Sequence, residues 1–257
     1  MREVPDFDVT EFTSRATRYC VVVPLINEDG RIARQLDRMA QIAELPDLIL
    51  ADGGSTDGST DIERLANAGV GTLLVKRGQG RLGAQLRMGF AHALDRGYEG
   101  VITVDGNDKD GVEAIPTFVA ALDRGVDFAQ GSRFVEGGVE QNTPWLRRLA
   151  IRLVHSPAVS RAAGFRYTDT TNGFRGYSRR LLEHPKVDLF RSVFAEYELL
   201  PYLAVRAAQI GMSVCEIPVR RTYPLNSPTP TKISKVSGNI QILSDLWKIT
   251  RGRFDPD

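Results

Sequence analysis

The feature that most constrains this chain is an alternation in its first half, where short aliphatic or β-branched runs are each followed by a helical pattern. Residues 20–26 (CVVVPLI) read as a strand, 31–43 as a helix and 48–51 as a strand, with a short helical stretch after Ser59. Residues 72–75, a helix from about 83 to 94, 101–104, a helix from about 112 to 122, and 126–130 continue the series. Strand and helix at this spacing imply right-handed βαβ units, and so an α/β fold with a mostly parallel central sheet flanked by helices. Polar residues gather directly after the strands, in Asn27-Glu28-Asp29, in Asp52-Gly53-Gly54-Ser55-Thr56-Asp57 and in Asp105-Gly106-Asn107-Asp108. Ligands of open α/β sheets bind outside the carboxyl ends of the strands, so these loops are expected to share one crevice.

From about residue 131 the alternation stops. A basic helical stretch, a Gly/Thr/Asn loop, a helix around 196–209 closed by Gly211, and a strand over 213–218 follow. Pro224, Pro228 and Pro230 impose a loop before a last amphipathic segment, from about 232 to 249. Neither a repeat nor a linker divides the chain, which predicts one domain over 1–257.

Lys and Arg number 33 against 32 Asp and Glu, a formal charge of +1, which argues against a nucleic-acid partner. Any anion must then be bound locally. Cys20 and Cys215 sit in apolar runs and read as buried thiols of a reducing compartment. The acidic opening lacks a signal-type apolar core, and no apolar run approaches the ~18 residues of a spanning helix. The expectation is a cytoplasmic chain that touches a membrane, if at all, peripherally on its inner face.

The strongest chemical signal is Asp105-Gly106-Asn107-Asp108-Lys109-Asp110, where an apolar strand delivers three carboxylates and an amide. Clustered carboxylates repel one another, and a hard divalent cation, Mg²⁺ or Mn²⁺, relieves that. The competing reading is a helix cap, as probable as function at Asp110. Asp52 ends a strand beside glycines, where an acid can accept from a base or ribose; an ordinary Asx-rich turn explains Ser55 to Ser59 well and Asp52 less well. Gly78-Gln79-Gly80-Arg81-Leu82-Gly83 follows the wrong strand for a dinucleotide fingerprint and reads as a tight connection. Among the later basic residues, Arg133 and Arg175, set among Gly and aromatic residues, are the best candidates to grip phosphate oxygens. His92, His155 and His184 show no metal or triad spacing. Residues 144–154 and the C-terminal segment are basic and amphipathic, patterns that pack on a core more often than they lie on a membrane.

In this order the motifs resemble glycosyltransferase family 2, inverting nucleotide-sugar enzymes of the GT-A fold, and especially its dolichol-phosphate mannosyltransferase-like branch. Residues 21–28 (VVVPLINE) are similar to that family's opening strand and turn, with Ile26 where Tyr is frequent, and 52–59 (DGGSTDGS) to its acidic turn. Residues 83–89 resemble the glycine-bounded stretch that follows, while GSRF at 131–134, DTTNGFRGY at 169–177 and EIPV at 216–219 resemble its later landmarks. The resemblance spans about residues 20 to 235. It implies a nucleotide diphosphate sugar, GDP- or UDP-linked, held by Pro24, Asn27, Glu28, Asp52, Gly54, Gly83, Asp105, Gly106 and Asn107, in a half running from about 18 to 133. The family usually carries Asp-x-Asp for its metal; here the metal falls to Asp105 with Asn107 or Asp108. A hydroxyl acceptor needs a general base, for which Asp169, Glu196 and Glu198 are candidates. A polyprenyl phosphate needs cations instead, from Arg133, Arg175, Arg221 and Lys232, in an acceptor half over about 134–257. The Pro-rich 220–232 segment is longer than the branch's usual loop, and no Q-x-x-R-W of processive synthases is present, so transfer of a single sugar is expected. The rival expectations are a sugar-phosphate nucleotidyltransferase and a non-catalytic nucleotide-sugar-binding protein.

Overall fold

The computed structural model describes residues 2–224 and 237–256. Its strands are β1 (Phe7–Glu11), β2 (Tyr19–Leu25), β3 (Asp47–Asp52), β4 (Thr72–Lys76), β5 (Gly100–Thr103), β6 (Phe128–Ser132), β7 (Val139–Gln141), β8 (Arg175–Ser178), β9 (Val214–Pro218) and β10 (Arg220–Thr222). Eight of them form one sheet in the order β1-β4-β3-β2-β5-β8-β6-β9, and β7 pairs with β10 in a separate parallel ribbon. Within the sheet β1 runs antiparallel to β4, and β8 antiparallel to both β5 and β6; every other pairing is parallel. The strands expected from the aliphatic runs are present, shifted by at most two residues. The antiparallel β1 and β8 are additions that the alternation does not announce.

The helices are α1 (Asp29–Met39), α2 (Ile62–Asn67), α3 (Leu82–Asp95), α4 (Ile115–Asp123), α5 (Trp145–Ala150), α6 (Ser156–Ala163), α7 (Arg179–Leu182), α8 (Leu199–Gln209) and α9 (Ser237–Thr250). A π-helical turn, Ile151–His155, makes α5 and α6 one rod. Every residue of β2 is buried because helices cover both faces, which is why its sequence is continuously aliphatic rather than alternating. On one face α3, α6, α8 and α9 bury Phe90, Tyr177, Phe194 and Leu203; on the other α1 and α4 bury Ile32, Leu36, Met39 and Phe118. Each such side chain contributes about 1.5–3 kcal/mol of apolar burial. The close seat of α3 on β2 needs Gly89, since a Cβ there would lie 2.6 Å from Val22 Cγ1.

Candidate functional site

The βα loops after β2, β3 and β5 converge, as open-sheet topology requires, around a cavity of about 290 Å³. Pro24, Leu25, Gly53 and Gln85 form its floor. Gln85, a polar residue on the buried face of α3, ties that floor together by donating to Leu25 O (2.8 Å) and Ala51 O (2.7 Å). Asp105, Gly106 and Asn107 form one wall, with Glu28 at the rim, and Lys76, Arg81, Lys109, Arg147, Arg221 and Tyr197 complete it.

The acidic turn after β3 is self-contained. Asp52 is fully buried; Oδ2 accepts from Gly54 N (2.8 Å) and Ser55 N (2.9 Å), and Oδ1 from Ser55 Oγ. Asn27, in the left-handed region at φ 50°, ties the β2 turn to this one, accepting from Thr56 N at 2.8 Å. In this structure the Asp52 oxygens brace the turn, as in an Asx motif, and Asp52 is not among the residues that line the cavity. Asn27, Gly54 and Gly83 likewise stand outside the cavity lining, Gly83 because it packs against Phe194 O and Glu196 O. Glu28 is reached by the Arg31 guanidinium one turn on.

The Asp105 loop divides its acids among three partners. The Asp105 carboxylate faces the cavity, with Asn107 Nδ2 3.5 Å and Arg221 Nη2 3.2 Å from Oδ2. Asp108, at φ 56°, turns the other way, to Arg34 Nε and Arg38 Nη1, both at 3.0 Å, while its N–H meets Gln35 Oε1. Asp108, expected as an alternative metal ligand, is thus paired with two arginines of α1 and does not line the cavity with Asp105. Asp110 is buried against Arg221 Nη1 at 2.7 and 2.8 Å, an ion pair rather than a helix cap. Among the described residues no three His, Cys, Asp or Glu side chains converge on one point. What the chain offers a hard cation is one carboxylate, Asp105, and Asn107 Oδ1, a buried oxygen without a hydrogen-bond partner. That donor set fits Mg²⁺ or Mn²⁺ when phosphate or water completes the shell.

Several expected acceptor-side residues lie elsewhere. Arg133 and Asp169 form a buried fork-to-carboxylate pair at 2.6 and 3.0 Å. Burial alone would raise the Asp169 carboxyl, but the Arg133 guanidinium outweighs it and holds Asp169 below the ordinary carboxylate range. Arg175 is fully buried and donates to three carbonyls, those of Asn172, Thr170 and Leu200. Glu198 is buried and accepts from Glu196 N. These placements differ from the cavity positions expected for Asp169, Arg133, Arg175 and Glu198: each side chain meets internal partners, and none lines the cavity. Lys232 lies outside the described residues.

Of the cavity's cations, Arg221 is one expected from the sequence, and the others come from elsewhere. Lys76 ends β4, and Lys109 sits inside the acidic loop. Arg147 is the cavity-facing member of the basic helix. Burial lowers the Lys109 ammonium and the Arg147 guanidinium, and neighbouring Arg221 lowers both further. Tyr223 reports the same field. Burial would raise its phenol, yet Arg221, Arg147 and Arg133 together bring it below its ordinary value.

A model of glycosyl transferase family 2 matches residues 20–184. Polyprenol monophosphomannose synthase of Mycolicibacterium smegmatis is 30% identical over 245 residues, 93% of this chain and 89% of that protein. Undecaprenyl-phosphate mannosyltransferase of Micrococcus luteus is 28% identical over 204 residues, 79% and 82% of the two chains. Among solved structures, glucosyl-3-phosphoglycerate synthase from Mycobacterium tuberculosis in complex with UDP has a TM-score of 0.64 at 16% identity, covering 93% of this chain and 81% of that one. The same enzyme in complex with Mn²⁺, UDP and glucosyl-3-phosphoglycerate has a TM-score of 0.60, and at 16% identity the likeness concerns the fold. The chain belongs to glycosyltransferase family 2: it is an enzyme of the GT-A fold, in the dolichol-phosphate mannosyltransferase-like branch.

Proposed function

We propose that this enzyme transfers one sugar from a nucleotide diphosphate sugar, GDP- or UDP-linked, to a polyprenyl phosphate, with inversion at the anomeric carbon. The observation that carries the reading is the composition of the cavity wall. Its only carboxylates among the described residues are Asp105 and Glu28, and Glu28 is occupied by Arg31, whereas Lys76, Arg81, Lys109, Arg147 and Arg221 face the same space. A hydroxyl nucleophile needs a base; of the expected ones, Asp169 and Glu198 are buried away from the cavity lining and Glu196 lies 3.8 Å from the Arg81 guanidinium. An acceptor phosphate is already ionised and needs cations, which argues against the soluble hydroxyl alternative. The names of the two relatives above, with polyprenol and undecaprenyl phosphate in them, support the same choice.

In this reading residues 18–133 hold the donor and 134–257 serve the acceptor, within one domain. The phosphate oxygen attacks the anomeric carbon from the face opposite the diphosphate, the glycosidic C–O bond to the diphosphate breaks, and the diphosphate leaves as the sugar–phosphate bond forms. Arg147 and Arg221 steady the acceptor phosphate, and Lys109 adds positive charge near the diphosphate. Asp105 and Asn107 would hold Mg²⁺ or Mn²⁺, which supplies Lewis-acid stabilisation of the departing oxygens.

The rod of α5 and its π turn presents Trp145 (71% exposed), Leu146 (63%), Leu149 (47%) and Leu153 (66%) to the outside, with Arg148 and Arg152 beside them. An apolar stripe facing outward, carried by the helix that brings Arg147 to the cavity, suits a membrane surface where the acceptor lipid resides. Among the described residues no helix is long and apolar enough to cross a membrane. In this reading the outward stripe of α5 is the surface that meets the bilayer, peripherally.

The test mixes purified protein and Mn²⁺ with GDP- and UDP-sugars, with or without polyprenyl phosphate, and follows glycolipid. Transfer to the lipid that Asp105→Ala abolishes is the expected result. Transfer only to a soluble hydroxyl compound, pyrophosphate release from a nucleoside triphosphate with sugar phosphate, or a bound donor left intact with every acceptor would each overturn it.

A further inference from the structure

Arg221 stands where a divalent cation must compete. Its Nη1 is gripped by both oxygens of Asp110 at 2.7 and 2.8 Å and lies 3.3 Å from Asn172 Oδ1, Nη2 lies 3.2 Å from Asp105 Oδ2, and the Tyr223 phenol is a further hydrogen-bond partner of the guanidinium. The backbone around the pair is fixed as well. Gly111 N donates to Arg220 O and Thr222 N to Lys109 O, each at 2.8 Å, on either side of the Asp110–Arg221 bridge. The guanidinium is thus held more closely by Asp110 than by Asp105.

The local charge makes this asymmetry consequential. Asp105 and Asp110 supply two negative charges, Arg221 offsets one of them, and Asn107 adds an oxygen without charge. Lys109 and Arg147 on the same wall offset the remaining negative charge. A bare divalent cation meets no net attraction there. A nucleoside diphosphate brings the missing negative charge, and its metal complex can take Asp105 while Asp110 retains Arg221 by Nη1.

We propose that Arg221 is the resident counter-ion of Asp105 in the donor-free enzyme, so that the site accepts a metal–diphosphate complex and rejects the free metal. The proposal rests on the metal-dependent reading above. Its consequence is ordered: donor and metal arrive together, and in doing so free the Nη2 edge of Arg221 to meet an acceptor anion.

The test is a Mn²⁺ titration read by the electron paramagnetic resonance of the free ion, without acceptor or turnover, with and without GDP or UDP. Removing Arg221 alone would strand Asp110 as a buried charge, so the informative variant is the double substitution Asp110→Asn/Arg221→Gln, with Arg221→Lys as a milder second. Circular dichroism establishes that each is folded. The wild type is expected to take up Mn²⁺ only with nucleotide. The double variant should bind Mn²⁺ alone about tenfold tighter or more, with the nucleotide's enhancement shrinking by the same factor, as linkage requires. Arg221→Lys should fall between. Equal Mn²⁺ affinity of wild type and folded variants without nucleotide would overturn the proposal while leaving the metal-dependent reading intact. No Mn²⁺ uptake by any form, even with GDP or UDP, would overturn both.

Discussion

Gly173 rests directly on Asp105: a Cβ at residue 173 would stand 2.5 Å from Oδ1 and 3.1 Å from Cγ of that carboxylate. Gly173 O also accepts from Thr103 Oγ1 at 2.7 Å, so the turn is pinned to the strand that delivers Asp105. Gly173→Ala should push the carboxylate off its position with the fold retained. A displacement of about 1 Å costs on the order of a hundredfold in rate. Glycolipid formation should fall by about that factor with little change in melting temperature; an unchanged rate would show that Asp105 tolerates the shift.

Arg38 is the outer clamp of the same loop. It donates to Asp108 Oδ1 (3.0 Å), Asp110 O (3.0 Å) and both oxygens of Glu113 (2.8 and 3.0 Å), and its neighbour Gln35 takes the Asp108 N–H. Arg38→Ala should therefore weaken donor binding through a loosened Asp105–Asn107 wall. A rise in donor KM larger than the fall in kcat is expected, with about 1 kcal/mol lost from stability in urea titrations. Loss of stability alone would confine Arg38 to a structural role.

Arg175 carries a different expectation. Its three carbonyl partners belong to residues 170, 172 and 200, so replacing it strands buried acceptors on two segments. We expect Arg175→Met to cost about 3 kcal/mol or more, seen as a large drop in melting temperature. Any folded fraction should keep the wild-type KM for donor and acceptor. A selective rise in acceptor KM without destabilisation would contradict this assignment.

His155 sets a pH dependence of stability. Burial and the nearby Arg175 charge lower the imidazole from its ordinary 6.5 to about 4, and Nδ1 lies 2.6 Å from Thr170 Oγ1. Between those values the unfolded chain binds the extra proton and the folded one does not. The contribution is therefore present above 6.5 and lost as pH falls towards 4. About 2 kcal/mol should disappear between roughly pH 7 and pH 5. His155→Gln should flatten that slope in denaturant titrations; parallel slopes for the two proteins would refute it.

The outward stripe of α5 makes a membrane prediction. Trp145→Glu/Leu149→Glu places charge on two exposed positions and strands no buried partner. Co-sedimentation with anionic vesicles should be lost, and transfer to vesicle-embedded acceptor should fall with it. Transfer to a short, water-soluble prenyl phosphate should persist. Undiminished vesicle binding would assign the stripe to another partner.

Sequence alone located the crevice but not the direction in which its side chains face. The parallel strands were readable because burial on both faces leaves continuous aliphatic runs, as in Val21-Val22-Val23. Strand β8 was not, because Arg-Gly-Tyr-Ser shows no period and its pairing joins residues about seventy positions apart. Acids at strand ends marked the site, yet Asp52 folds back on its own turn and Asp108 swings to α1 through a left-handed backbone. Arg133 and Arg175 stood among glycines and aromatics because they are buried, and their anionic or carbonyl partners are internal. Arg147 and Lys109, which do face the cavity, were hidden in runs that a surface helix or an acidic loop already explained.

Strand β8 has one more consequence. It fills the gap between β5 and β6, pairing with both, although about forty residues of chain separate it from β6. A nascent chain that has not yet emitted residues 175–178 has the loops after β2, β3 and β5, but its sheet ends at β5 and β6 has neither of its partners, β8 and β9. The late segment closes the sheet and carries Gly173 onto Asp105 in the same movement. Strand β8 therefore joins β5 to β6 and seats Gly173 on Asp105 in one step, and donor and acceptor sides should melt in a single transition rather than one after the other.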